Sequence, residues 1–209
     1  MFHDFDDAAP RAGLLLLGAA LAFAALPALA QDAPTSADVS AYAEVAAKYA
    51  DVNAALADGY IPDPSGVCVD AGMEGLPAEW GAMGIHYLHP QRLGITSTDP
   101  LVDGNGTNTD FTQPSILLYV PQEDGSMTLV GMENLVFEAG WLAAGNTEPP
   151  MFEGRPWDRM ADDPATEAHE AHGFMPHWDQ HVWFVDNPSG NLMPFNPAVS
   201  CEHAAAHAH

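Results

Sequence analysis

Two apolar runs joined by a short polar turn constrain the fold of this chain most. Ser115–Val120 and Met127–Phe137 are rich in the β-branched and large apolar residues typical of strands. Asp124 and Gly125 lie between them, and Asp-Gly is among the strongest signals for a tight β-hairpin turn. The sequence therefore predicts an antiparallel hairpin at the centre of the fold.

A helix is predicted before this hairpin. Thr35 and Asp38 form the pattern of a capping box, and Gly59 supplies a stop at the far end. Between them, apolar residues recur at steps of three and four, which places them on one helical face. These residues are Val39, Tyr42, Val45, Ala46, Tyr49, Val52 and Leu56.

Shorter strands are expected at residues 83–88 and 181–185, because brief apolar runs there are bounded by Gly, Pro and polar residues. Pro176 favours a bend at residues 177–180 ahead of the second of these strands. Together the patterns predict an α+β domain, in which the N-terminal amphipathic helix packs on a mostly antiparallel β-sheet. A small sandwich or an open barrel would satisfy this arrangement.

Residues 1–30 have the features of a secretory signal peptide. An apolar stretch from Leu14 to Leu26 is followed by Ala28-Leu29-Ala30, a small-x-small cleavage pattern. We therefore expect a periplasmic or secreted protein with no stable membrane insertion in its mature form. The remaining organisation is predicted as a linker at 31–35, a single domain at 36–201 and a flexible His-containing tail at 202–209.

The charge of the chain is strongly acidic, with 29 Asp and Glu residues against five Lys and Arg. Such a surface repels phosphate backbones and anionic lipids, so nucleic acid is not expected as a partner. It attracts cations, and it also favours solubility at high salt. A small-molecule or protein partner is left open.

The two cysteines, Cys68 and Cys201, are expected to form a disulfide, since an exported protein folds in an oxidising compartment. The alternative is a pair of separate buried thiols, because sequence does not give the distance between them.

Histidines mark a candidate metal site. His177 and His181 precede an apolar run, and His86 lies in a predicted strand about ninety residues upstream. Imidazole is the commonest protein ligand of transition metals, so we expect His86, His177 and His181 to bind an ion, with zinc or copper as cofactor. In a straight strand His177 and His181 would be about 13 Å apart, so sharing an ion requires the bend.

Glu133 is the predicted carboxylate ligand. It shares a strand face with apolar residues, where a carboxylate is costly to bury unless a cation or hydrogen-bond donors meet it. Gly131 beside it leaves room for a close approach. The opposite face is equally apolar, so the alternative is that Glu133 points to solvent.

Other metal-ligand patterns are weaker. His169 and His172 lack the spacing of a zinc-protease helix, and at the end of a short helix they would favour its dipole, so they are not expected to be ligands. Met83, Met132 and Met175 accompany the candidate ligands; thioethers suit Cu(I), but methionine is more often a filler of irregular cores.

These residues resemble a group of uncharacterised secreted bacterial proteins over roughly residues 40–201. The shared patterns are G-x-M-G-x-H-Y, which spans Gly81 to Tyr87, and H-x-x-x-H-V-W, which spans His177 to Trp183. No activity is known for the group, so the resemblance implies none here.

Three functions fit the sequence. The first is an exported soluble protein with a His/Glu transition-metal site. The second is a metal-dependent hydrolase or oxidoreductase at the same site, with one coordination position open to water. The third is a metal-free binding or structural protein.

Overall fold

The computed structural model describes residues 33–165 and 169–204. The predicted signal peptide, the first two linker residues and the tail beyond residue 204 lie outside the described residues, so these predictions stay as stated. None of the helices that are described has the length and apolar character needed to cross a bilayer.

Short elements make up the described chain, and strands outnumber helices. The strands are β1 (Ile61–Pro62), β2 (Cys68–Asp70), β3 (Ala82–Leu88), β4 (Ile95–Ser97), β5 (Asp103–Gly104), β6 (Ile116–Pro121), β7 (Met127–Phe137), β8 (Met151–Phe152), β9 (Arg155–Pro156), β10 (Asp158–Met160) and β11 (His177–Trp183). The α-helices are α1 (Ser40–Ala46), α2 (Val52–Ala57), α3 (Pro90–Leu93) and α4 (Glu138–Ala143), and 3-10 turns occupy Ala47–Tyr49 and Ala78–Trp80.

Seven strands form the main sheet, in the order β1-β3-β6-β7-β11-β10, with β2 also paired to β3. Every pairing within it is antiparallel. This confirms the prediction of a mostly antiparallel sheet. In the part of the chain described, the sheet does not close into a barrel.

The β6–β7 hairpin lies where the sequence predicts it. In the connecting turn, the backbone N–H of Ser126 donates to Asp124 Oδ1 at 2.9 Å. Gly125 adopts a φ of 80°, a conformation that favours glycine. The prediction of a hairpin turn at Asp124-Gly125 is confirmed.

The N-terminal segment comprises α1, a 3-10 turn and α2. Asp51 begins α2 as its N-cap, accepting a hydrogen bond from the backbone N–H of Asn53. Buried residues of this segment lie in one apolar cluster with β6 and β7 side chains such as Leu117 and Met132. Tyr119 fixes the contact further, because its hydroxyl donates to the carbonyl oxygen of Tyr49 at 2.6 Å.

Strand β11 departs from the prediction. It begins at His177 rather than His181, and it pairs with β7 without a bend from His177 opposite Phe137 to Trp183 opposite Gly131. The prediction of a bend at 177–180 is wrong. The long ladder offered by β7 explains the difference, since it gives all seven β11 residues a partner, and all seven are buried.

The two faces of the sheet pack against different parts of the chain. One face, which includes Leu117 and Met132, meets the N-terminal helices. The other face, which includes Leu118 and Leu135, meets segments that contain Leu93 and Phe174. Both faces are therefore buried at the centre of the sheet, and a polar side chain on either face is removed from water.

Cys68 and Cys201 form a disulfide, as predicted. The bond ties β2 at the edge of the fold to the C-terminal segment, across 133 residues of chain. Because β2 pairs with β3, the bond also restrains the strand that carries His86.

Replacing both cysteines, Cys68→Ser with Cys201→Ser, should lower the free energy of unfolding by about 2–4 kcal/mol, since the bond restricts the unfolded chain. Urea denaturation measures the change. Unreduced wild-type protein should show no free thiol after unfolding in a labelling reagent. Two labelled thiols would contradict the bond.

Candidate metal centre

Glu133 lies at the centre of the sheet and is completely buried. On β7 it stands opposite His181 of β11 on one side and Ile116 of β6 on the other. The strand register places it on the face that holds Leu118 and Leu135, which resolves the open question of its direction: its side chain points into the protein.

His86 of β3 and His181 of β11 converge on Glu133. His86 Nε2 lies 3.2 Å and His181 Nε2 lies 3.5 Å from Glu133 Oε2. One ligand atom from each of the three residues lies within 4.8 Å of the others. Two donors bound to one zinc ion at 2.0–2.1 Å in tetrahedral geometry would be about 3.3 Å apart, so these separations suit a shared ion.

The surroundings of β11 fix the ring of His181. The Trp183 ring stacks beside it, with centroids 6.0 Å apart, and Trp183 Nε1 donates to the carbonyl oxygen of Met193. Gly131 makes this packing possible, because a Cβ there would lie 2.8 Å from the Val182 carbonyl oxygen and 3.2 Å from the Trp183 ring. The glycine therefore serves the close approach that the sequence predicts beside Glu133.

His177 is buried on the same face but outside this group of three. Its Nε2 lies 3.6 Å from Asp179 Oδ2, and its Nδ1 bonds to the carbonyl oxygen of Met175 at 2.9 Å. Because β11 does not bend, His177 and His181 are separated by about 13 Å of strand. The structure brings together His86, Glu133 and His181, and it places His177 next to Asp179.

Asp179 lies between the two histidines of β11 and was not predicted. It is completely buried, and its Oδ1 lies 3.9 Å from His181 Nδ1. A carboxylate beside the non-coordinating nitrogen of a histidine is a common outer partner of metal ligands. Its alternation with His177 and His181 along one strand face is the signal that could have identified it.

His172 also joins the cluster, contrary to its expected role at a helix end. The described residues around it form turns rather than a helix. Its ring stacks on His86 with centroids 5.2 Å apart and meets the ring of His177 at 5.8 Å. No sequence signal identifies it, because the contact depends on how the 169–175 segment crosses the sheet.

Six side chains thus form one buried polar cluster: His86, Glu133, His172, His177, Asp179 and His181. Nine of their nitrogen and oxygen atoms are shielded from solvent and lack a hydrogen-bond partner. Both carboxylates find their ion-pair partners only among histidines, as far as the described chain shows. Buried polar atoms are seldom left unpaired, and these unpaired oxygen and nitrogen atoms could hold a cation.

The pKa values of the cluster show how its charges interact. Burial opposes ionisation of Glu133, but His181 and His86 outweigh it and lower its pKa to about 2. Burial opposes protonation of His86, yet Glu133 raises its pKa above the ordinary value. Burial raises the pKa of Asp179. Burial, together with His86 and His177, lowers the pKa of His172 well below its usual range.

A surface cavity of about 340 Å³ reaches the outer side of the cluster. His172, His169, Glu74 and Asp162 contribute to its wall. His172 is half-buried, and its ring separates this cavity from His86.

Two of the three methionines that accompany the candidate ligands in sequence pack in apolar clusters away from them. Met132 belongs to the cluster on the opposite face of the sheet, and Met83 packs in a separate apolar cluster. Met175 is 39% exposed. The positions of Met83 and Met132 agree with core filling rather than with copper ligation.

No protein-family model matches the chain, and neither the curated proteins nor the solved structures include a significant match. The predicted resemblance to secreted bacterial proteins stays a prediction.

Glu74 in the cavity wall should make stability depend on pH. Burial raises its pKa from 4.5 to about 7, so the folded state holds a proton that the unfolded chain has lost. The contribution of Glu74 to stability should therefore be lost as pH rises from about 4.5 to 7, by up to about 3 kcal/mol. Urea denaturation of Glu74→Gln at pH 5 and pH 8 should show a smaller decrease than wild type. Parallel pH profiles would contradict this assignment.

Proposed function

We propose that the protein binds one divalent transition-metal ion, with zinc as the first candidate, through His86 Nε2, Glu133 and His181 Nε2. The observation that carries the proposal is the spacing of 3.2 and 3.5 Å between these otherwise unpaired buried atoms. The disulfide and the predicted signal peptide support a role in the periplasm or outside the cell.

Charge supports a cation at this place. Glu133 and Asp179 bring up to two negative charges into a cluster whose other members are four imidazoles. A buried carboxylate without compensation costs several kcal/mol. One divalent ion would balance both carboxylates, whereas a metal-free cluster would have to hold extra protons on its histidines.

Zinc fits the donor set better than copper. Two imidazoles and one carboxylate are a known zinc combination. The soft ligands that favour Cu(I) are not part of the cluster, since both cysteines are joined in the disulfide and Met83 and Met132 pack elsewhere. Copper(II) binds most nitrogen and oxygen sites more tightly than zinc, so the native ion has to be measured rather than inferred from affinity.

A hydrolase or oxidoreductase is the second candidate function. Three protein donors leave a coordination position for water, and the cavity beside His172 offers space for a substrate. Bound to Glu133 and the two histidines, zinc would supply Lewis acidity to a group that occupies this position. This function requires that the fourth position be open.

Untagged protein that ends at Glu202 should contain one equivalent of zinc after purification without chelator. The truncation removes His203, His207 and His209, which could bind metal loosely, and keeps the disulfide. Elemental analysis measures the content. Less than a tenth of an equivalent of any transition metal, even after reloading, would favour the metal-free alternative.

Changing a proposed ligand should weaken zinc binding by at least 100-fold. His86→Ala and His181→Ala each remove one ligand atom, and the isosteric Glu133→Gln removes the carboxylate charge. Loss of even a residue that only contacts a metal ligand typically weakens metal affinity about 10–100-fold. Competition against a chromophoric chelator at high salt measures the affinity, because salt screens diffuse attraction by the acidic surface.

His169→Ala is the matched control, since His169 is exposed and belongs to none of the proposed donors. The zinc affinity of His169→Ala should equal that of wild type. The predicted ligand role of His177 is tested by His177→Ala in the same assay. Unchanged affinity in both His86→Ala and His181→Ala would rule the proposed centre out.

Zinc binding should be lost as the pH falls, because protons and the ion compete for the same imidazole lone pairs. Glu133 raises the pKa of His86, so the competition should begin above the ordinary imidazole value of about 6.5. The affinity at pH 5 should be far below that at pH 8. A constant affinity over this range would exclude imidazole ligands.

A further inference from the structure

We propose that His172 Nε2 is the fourth ligand of the ion and separates the ion from the adjacent cavity. The ion would then join β3, β7, β11 and the 169–175 segment, and its role would be structural rather than catalytic. This inference rests on the proposed function and specifies the coordination of the same site.

The hydrogen bonding of His172 prepares it for coordination. Its Nδ1 lies 3.0 Å from the carbonyl oxygen of Glu170, and a carbonyl only accepts, so Nδ1 carries the proton. In the neutral ring, Nε2 then presents a lone pair. Histidines that bind metals usually donate their other ring N–H in this way, often to a backbone carbonyl.

The remaining nitrogen has no other partner. His172 Nε2 is shielded from solvent and makes no hydrogen bond, although the residue itself is half-buried. Its ring lies 5.2 Å from that of His86 and at a small angle of 28° to it. Because Nε2 is shielded from solvent and has no hydrogen-bond partner, it is free to bind an ion held by the cluster. His172 lies outside the group of three whose ligand atoms are within 4.8 Å of one another, so its ring would have to move toward the ion.

The segment that carries His172 is held firmly to the rest of the fold. Val102 bridges it twice, donating to the carbonyl oxygen of Gly173 and accepting from Met175, each at 2.9 Å. Phe174 is 1% exposed and packs in the apolar cluster on this face. His172 itself adopts a positive φ of 34°, which is uncommon for a residue with a side chain and places its ring on the sheet.

His177 has the same tautomer but a different environment. Its Nε2 already faces Asp179 Oδ2 at 3.6 Å, and its position on β11 is about 13 Å along the strand from His181. Its ring contacts are with His172 and Phe174 rather than with His86 or His181. His172 is therefore better placed to complete the set with the three converging residues.

A fourth protein ligand changes what the centre does. Structural zinc sites are closed by four protein ligands, whereas catalytic ones keep a position for water. With His172 bound, the ion has no position for a substrate, and the cavity ends at a histidine ring. Binding of the ion would instead stabilise the packing of the 169–175 segment on the sheet.

Cobalt(II) substitution tests this inference, because the visible spectrum of cobalt reports its ligands directly. The protein ending at Glu202 is prepared as wild type, His172→Ala, His172→Gln, His177→Ala and His169→Ala, and each is loaded with one equivalent of cobalt. The rate at which cobalt transfers to a strong chelator measures how firmly the centre holds the ion. Circular dichroism checks that each variant is folded.

Both His172 variants should lose the wild-type spectrum and release cobalt at least tenfold faster, and free imidazole should restore the spectrum in His172→Ala. His169→Ala should match wild type in both measurements. A wild-type spectrum in folded His172→Ala or His172→Gln would overturn the inference, as would an imidazole-dependent spectrum in His177→Ala alone. Failure of wild type to bind cobalt or zinc would instead overturn the proposed function on which the inference rests.

Discussion

The structure depends on the burial of one carboxylate, Glu133, between two imidazoles. Its side chain is completely excluded from water at the middle of the sheet, with His86 and His181 as its polar neighbours. An uncompensated charge in such a place costs several kcal/mol. A fold that retains this charge must place a positive group beside it, and the proposed metal ion would do so while binding nitrogen atoms that lack hydrogen-bond partners.

The arrangement of the sheet makes this burial possible. Antiparallel pairing places Glu133 directly opposite His181, while His86 reaches it from β3 across β6. Gly131 allows the Trp183 ring to pack beside His181. The disulfide restrains β2, which pairs with β3. The cluster therefore depends on contacts between strands that are distant in sequence, and its side chains meet only in the folded chain.

Local patterns predicted the hairpin, because its turn depends on neighbouring residues. They also marked His86, Glu133 and His181 as candidate ligands, whereas the convergence of these residues depends on strand pairing. The Asp124-Gly125 turn and the apolar strands gave the central hairpin, and Glu133 in an apolar strand marked a buried charge. The role of His172 was not predicted, because a turn held by Val102 brings it to the sheet. The bend predicted from Pro176 is wrong for a similar reason, because pairing with the long strand β7 keeps β11 extended from His177.

A crystal structure with anomalous diffraction measured on both sides of the zinc absorption edge tests the central claim most directly. Protein that ends at Glu202 and retains its native metal should show one strong zinc peak about 2.0–2.1 Å from Nε2 of His86, Nε2 of His181 and an oxygen of Glu133. A zinc peak only at the protein surface, or hydrogen-bonded water at the centre of the three side chains, would contradict the account.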